Sequence, residues 1–336
     1  MQNTLRSWRT LREKIIKMNK NVIIPILTIL LIVVIVFMLN DLFFSNKNQE
    51  NPYELNIDSI GRYDSTLICY NEVLQIKLNI YEPKGIAIDD SDFVYVAGIR
   101  KIIIFDTTGK QVSEIATEDS ATCIAVNSKQ EIFAGMTNNI EVWNKNGTLI
   151  SKWKTENPLS VFTGIDVNDS TVIVADAAER LVHVYDLNGN FKINIGAEDS
   201  LKGILGIIIR SPYFDVALGR DNEIWVGNQG RHSLEAYNVN GNLKSSWGVA
   251  SMSIEGFSGC CNPTNFAILP DGSFVTSEKA IERVKIYNQS GEFKCVVAGT
   301  EKFDKGTKGL DLAIDSKERI YVLDPVRKMV RVFERN

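Results

Sequence analysis

Two cysteines stand side by side in FSGCCNPTNF (257–266), in a chain that holds only five. Neighbouring thiols can close as a strained vicinal disulfide, hold a soft metal, exchange with a redox partner or link to a distant cysteine. They can also be small buried apolar residues with no chemistry. Cys123 and Cys295 are the distant partners considered, so Cys123, Cys260, Cys261 and Cys295 form the disulfide candidates. Cys69, in STLICYN, precedes them. No C-x-x-C spacing occurs, so a zinc ribbon or a thioredoxin-like site is not expected.

A second group of residues is acidic. Asp166, Asp215, Asn265 and Asp311 stand, with Cys123, at or beside the start of apolar strand-like segments. Converging at one mouth, their oxygens would suit a hard cation such as Ca2+. Asp166 sits inside the alternation GIDVN, where neighbours point to opposite sides. Asp176 with Arg180, Glu278 with Arg283, and Asp324 with Lys328 read as pairs bracing hairpins, each contributing about 0–1 kcal/mol where exposed. The chain has two histidines, His183 in LVHVYD and His232 in NQGRHSL. A two-histidine metal cluster or a Ser-His-Asp mechanism would need them brought from separate segments. No G-x-S-x-G elbow, P-loop or dinucleotide-binding glycine pattern is present. The residues expected at a ligand-binding mouth are Cys260, Cys261, Asn262, Asn265, Asp166, Asp215, Asp311 and Glu278; none is assigned a catalytic role.

What would position these residues is a repeat. From Gly85 one pattern recurs six times: apolar strand, polar turn, second strand, loop, third strand ending near an aromatic residue, glycine turn, fourth strand. The copies open at Gly85, Cys123, Gly164, Asp215, Phe266 and Leu310. The glycines of DTTGK, NKNGT, DLNGN, NVNGN and NQSGE suit the positive-φ position of a tight turn. Four short strands repeated at this period predict an all-β, six-bladed propeller around a channel. The sixth copy stops after its third strand, at VRVFERN. EVLQIKLN (72–79) is an unpaired alternating strand before the first blade, and is expected to complete the sixth blade and close the ring.

The copies resemble NHL repeats. ADAAERLVHVYD (175–186) keeps Asp176, Arg180 and Tyr185, VLDPVRKMVRVFE (322–334) keeps Asp324 and Phe333, and SEKAIERVKIYN (277–288) keeps Glu278 and Arg283. The first two copies depart most, with Gly98 and Gly135 at the acidic place. The resemblance covers roughly residues 72–336 and implies the six-bladed propeller; this family hosts binding scaffolds, sensors and enzymes, so it implies no single activity. The segment from Phe257 to Asn288 is also similar to fifth-blade segments of bacterial membrane-anchored propellers. Gluconolactonase-like propellers are similar at blade level, and that likeness implies a divalent cation at the channel, held by Glu, Asn and Asp, and hydrolase or lactonase chemistry.

The first 44 residues add a membrane. Residues 22–39, VIIPILTILLIVVIVFML, form an apolar run long enough to span a bilayer. Of the 37 Lys and Arg, six lie in residues 1–21, against one of the 41 Asp and Glu. The positive-inside rule keeps that segment cytoplasmic and sends the bulk outward. No small-x-small cleavage site follows, so an uncleaved signal anchor is expected rather than a signal peptide. The expected layout is a cytoplasmic basic segment (1–21), a transmembrane anchor (22–40), a linker (41–58) and the propeller (59–336). The remainder is net acidic, which argues against nucleic acid as a partner. The expectation is a membrane-tethered propeller, periplasmic or extracellular, that binds a protein or a small ligand. A cation-dependent hydrolase and a redox partner acting through Cys260-Cys261 are the alternatives.

Overall fold

The structure is a computed structural model and describes residues 20–44, 63–155, 157–199 and 205–336. Contacts divide the chain into two units, Met1–Asn56 and Ile57–Asn336. In the first, one helix (α1) runs Lys20–Phe44. Its stretch Val22–Asn40 is long and apolar enough to cross a membrane and is not buried by the protein. Pro25 is tolerated near the start of α1, where backbone N–H groups have no helical partner. The basic segment 1–21, apart from its last two residues, lies outside the described residues. The linker expected at 41–58 begins as helix, since α1 continues to Phe44; the rest of it also lies outside them.

The second unit is a six-bladed propeller. Six antiparallel sheets of four strands each follow one another along the chain. The β-branched alternating segments form the strands, and the second and third strands of the blades are almost wholly buried. The glycines of the five strand-three-to-four turns (109, 147, 189, 241 and 291) take φ between +79° and +83°, the conformation the sequence demanded of them. There is no central core. Apolar side chains instead form six clusters, each shared by two neighbouring blades.

The ring closes as the unfinished sixth copy required. Tyr70–Lys77 forms the outer strand of a sheet with Met329–Arg335, Ile320–Asp324 and Leu312–Ile314. It runs antiparallel to the last strand, from Tyr70 opposite Arg335 to Lys77 opposite Met329. The strand starts two residues earlier than the expected 72–79, because Tyr70 has a partner in the C-terminal Arg335. A disulfide fastens it. Cys69 bonds Cys295, in the outer strand Phe293–Ala298 of blade five. The expectation for Cys295 is thereby corrected: its partner is Cys69 rather than Cys260 or Cys261. The physical reason is ring closure, which lays residue 68 beside Val296. Cys123 is free and buried.

Candidate functional site

The inner strands line the channel with two rings of side chains. At one shared position near the start of each inner strand stand Gly85, Cys123, Gly164, Asp215, Asn265 and Asp311. Two residues further in, the same alignment gives Ala87, Ala125, Asp166, Ala217, Ala267 and Ala313. Asp166 is therefore one layer deeper than Asp215 and Asp311, the single carboxylate in a ring of alanines. All three aspartates line one channel cavity of about 210 Å³.

The geometry shows what these carboxylates do. Asp166 accepts from the backbone N–H of Leu218 in the next blade at 2.7 Å and of Val167 at 2.8 Å. Asp215 accepts from Phe266 N–H at 2.9 Å and Val216 N–H at 2.9 Å. Asp311 accepts from Ile86 N–H at 2.8 Å and Leu312 N–H at 3.0 Å. Asn265 Nδ2 donates to Asp311 Oδ1 at 3.1 Å. Each side chain thus ties its blade to the following one, from blade three round to blade one. Burial raises Asp166 and Asp311 to about 6. Burial, followed by the nearby Asp311 charge, raises Asp215 well above the usual carboxylate range. The channel brings the predicted aspartates together around one cavity, each accepting two backbone N–H hydrogen bonds. Among the described residues, the three whose ligand atoms converge are Asp176, Glu179 and His183, in blade three.

Above the aspartates, and sharing Thr163 with their cavity, lies a second cavity of about 420 Å³ at the channel mouth. Its walls come from the segments just before the inner strands: Pro83, Val161, Phe162, Pro212 and Tyr213, with Lys84 and Lys308 among its polar lining. Asn265 also lines it, and its Oδ1 is buried with no hydrogen-bond partner. Sequence reasoning found Asn265 but missed Lys84, Tyr213 and Lys308. Their signal was the PKG, SPYFD and TKGLD segments that precede three of the repeats.

The remaining predicted residues brace the fifth blade. Glu278 is buried, paired with Arg283, and lies 3.4 Å from Lys285 Nζ. Lys285 Nζ donates to Ile254 O at 3.0 Å and Gly256 O at 2.7 Å, holding down the loop that leads to the cysteine pair. Burial pulls Lys285 down to about 7. Asn262 donates to Ser258 O and Lys279 O and accepts from Lys279 N–H, at 2.7, 3.0 and 2.9 Å. Glu278 and Asn262 are thus positioning residues, with their polar atoms committed inside the protein. Cys260 is exposed and Cys261 buried, with Sγ atoms 3.0 Å apart. The hydrogen bond with Cys261 raises the Cys260 thiol.

Two of the three expected hairpin pairs are repartnered. Asp324 faces Arg331, with Nη1 to Oδ2 at 3.9 Å, and not Lys328. Asp176 faces His183 and not Arg180. Arg180 and Lys328 take positive φ and are exposed, so the turn carries their side chains away from the carboxylates.

No protein-family model and no curated protein sequence matches the chain. Solved structures do match in fold. A streptogramin B lyase shares 13% identity over 81% of this chain and all of its own, with a TM-score of 0.56. A virginiamycin B lyase from Staphylococcus aureus shares 15% identity over 75% of this chain and 81% of its own, with a TM-score of 0.52. A catalytically inactive histidine-to-alanine variant of that lyase with quinupristin also matches, at 15% identity over 79% of this chain and 88% of its own, with a TM-score of 0.52. At such identities the likeness is one of fold.

Proposed function

We propose that this chain is a membrane-tethered propeller, held outside the cytoplasm, that binds a small anionic ligand at the mouth of its channel. The Glu278–Arg283 pair across the hairpin of blade five supports an NHL-like repeat. The observation that carries the binding reading is the mouth cavity: apolar walls, two lysines, Lys84 and Lys308, against one acid, Glu82, which lies 3.9 Å from Lys84 Nζ, and the unpartnered Asn265 Oδ1. A concave apolar site with a few placed polar groups is the usual form of a small-molecule site. An unpaired buried acceptor is unfavourable until a donor reaches it, which favours a ligand carrying a donor as well as a negative charge. The Cys69–Cys295 bond and the basic residues before α1 support placement in an oxidising compartment beyond the membrane.

Lyase chemistry like that of the fold neighbours has less support. One neighbour is inactive when a histidine is replaced, and neither His183 nor His232 lines the mouth or the channel cavity. The test is a thermal-shift screen of the full chain in detergent against small organic anions. At least one should raise the melting temperature of the parent and not that of Lys84→Glu/Lys308→Glu. A screen in which every active compound shifts both proteins equally, or in which no compound shifts the parent, refutes the reading.

A further inference from the structure

Three side chains aim at one point on the hairpin of blade three. Asp176 ends the strand Val172–Asp176, Glu179 lies in the turn, and His183 lies in Leu181–Tyr185. His183 Nε2 is 3.4 Å from Asp176 Oδ2 and 3.2 Å from Glu179 Oε2. The outer atom of each side chain is already held. His183 Nδ1 sits 2.7 Å from Asn194 Oδ1. The backbone N–H groups of Val161, Ala178 and Glu179 donate to Asp176 Oδ1 at 3.1, 2.9 and 3.1 Å. Asn157 Nδ2 donates to Glu179 Oε1 at 2.7 Å. Outer hydrogen bonds of this kind orient the ligands of metal sites, and with the Nδ1 proton on the Asn194 side the Nε2 lone pair faces inward.

A neutral imidazole facing two carboxylate oxygens is repelled, so a positive charge belongs between them. Blades five and six carry theirs in the chain, whereas blades two and four have Glu141 and Glu235 at the same position. The third-strand position held by His183, opposite Val174, is Lys285 in blade five, opposite Thr276, and Arg331 in blade six, opposite Val322. In blade three that charge is either a second proton on the imidazole or a metal ion. The two separations, 3.4 and 3.2 Å, lie close to the edge of a tetrahedron whose nitrogen and oxygen ligands are about 2.0–2.1 Å from Zn2+, roughly 3.3 Å.

We propose that Asp176, Glu179 and His183 bind a divalent ion of the Zn2+ type. One nitrogen and two carboxylate ligands suit zinc better than calcium. Asp176 and His183 are buried, while the Glu179 side chain is 29% exposed, so ion access and a fourth ligand position lie on its side. The ion clamps the segment 157–161 to the hairpin. That segment leads into Val161 and Phe162, which wall the mouth cavity. The site is thus a brace for one wall of the cavity, whatever the cavity holds.

The experiment uses the full chain in detergent, stripped with a chelator and titrated with ZnCl2 against a chromophoric competitor. Cys260→Ser/Cys261→Ser is the reference, so that the thiol pair cannot supply the signal. The reference should bind one zinc per chain. Glu179→Gln in that background keeps an acceptor for Asn157 and should bind about 10- to 100-fold more weakly. Zinc-edge X-ray absorption of the loaded reference needs no further variant and should show one imidazole among oxygen ligands. No zinc bound by the reference, equal affinity in Glu179→Gln, or a first shell with more than one imidazole overturns the proposal.

Discussion

Asp166 shows how one side chain can work against the fold that holds it. It occupies a place where the other five blades have alanine, and burial raises its carboxyl to about 6 from an ordinary 3.8. A raised folded-state value means that the fold prefers the neutral acid. The stabilising contribution is therefore present below about pH 4 and lost as pH rises through about 6. Near neutrality the ionised group costs on the order of 3 kcal/mol, a net figure after the two backbone hydrogen bonds that it accepts. Asp166→Ala restores the alanine ring and should remove one titrating group from the stability profile. Urea unfolding at about pH 5 and about pH 8 should show the variant gaining on the parent as pH rises. An unchanged difference at the two pH values would mean that Asp166 is not the group titrating. Asp215 and Asp311 remain in the variant, so its profile keeps a smaller slope.

At the scale of elements, local chemistry was legible and long-range pairing was not. Turn glycines and period-two alternation announce the strands, because one residue's φ or one face's burial is a local matter. The closing strand was legible because VRVFERN leaves a blade unfinished. The partner of Cys295 was not, since it depends on which outer strand lies beside residue 68 once the ring is shut, 226 residues away in the chain. The exchange of Arg180 for His183 as the partner of Asp176 was hidden for another reason. Spacing along a hairpin says which residues are near, and the positive φ of Arg180 decides which one turns away. Ring closure also makes the disulfide a fastener of both ends of the propeller, since Asn336 N–H donates to Cys69 O at 3.0 Å. Cys69→Ala/Cys295→Ala should lower unfolding stability by about 2–5 kcal/mol. Urea midpoints with and without reductant measure it, and a parent indifferent to reductant would show that the bond does not form in the protein.

For the whole molecule, the cysteines report on which side of the membrane the propeller stands. Of the five, Cys69 and Cys295 are bonded, Cys123 and Cys261 are buried, and Cys260 alone is free and exposed. Cys260 is therefore the one thiol that a reagent meets without unfolding. The proposed placement outside the cytoplasm rests on the positive-inside rule, which expects the basic segment to be retained in the cytoplasm. In right-side-out membrane vesicles, after brief treatment with a mild impermeant reductant to open any Cys260–Cys261 bond, an impermeant maleimide should label the parent and leave Cys260→Ser unlabelled. Labelling that appears only after detergent would place the propeller on the cytoplasmic side. It would also remove the oxidising environment on which the Cys69–Cys295 bond depends.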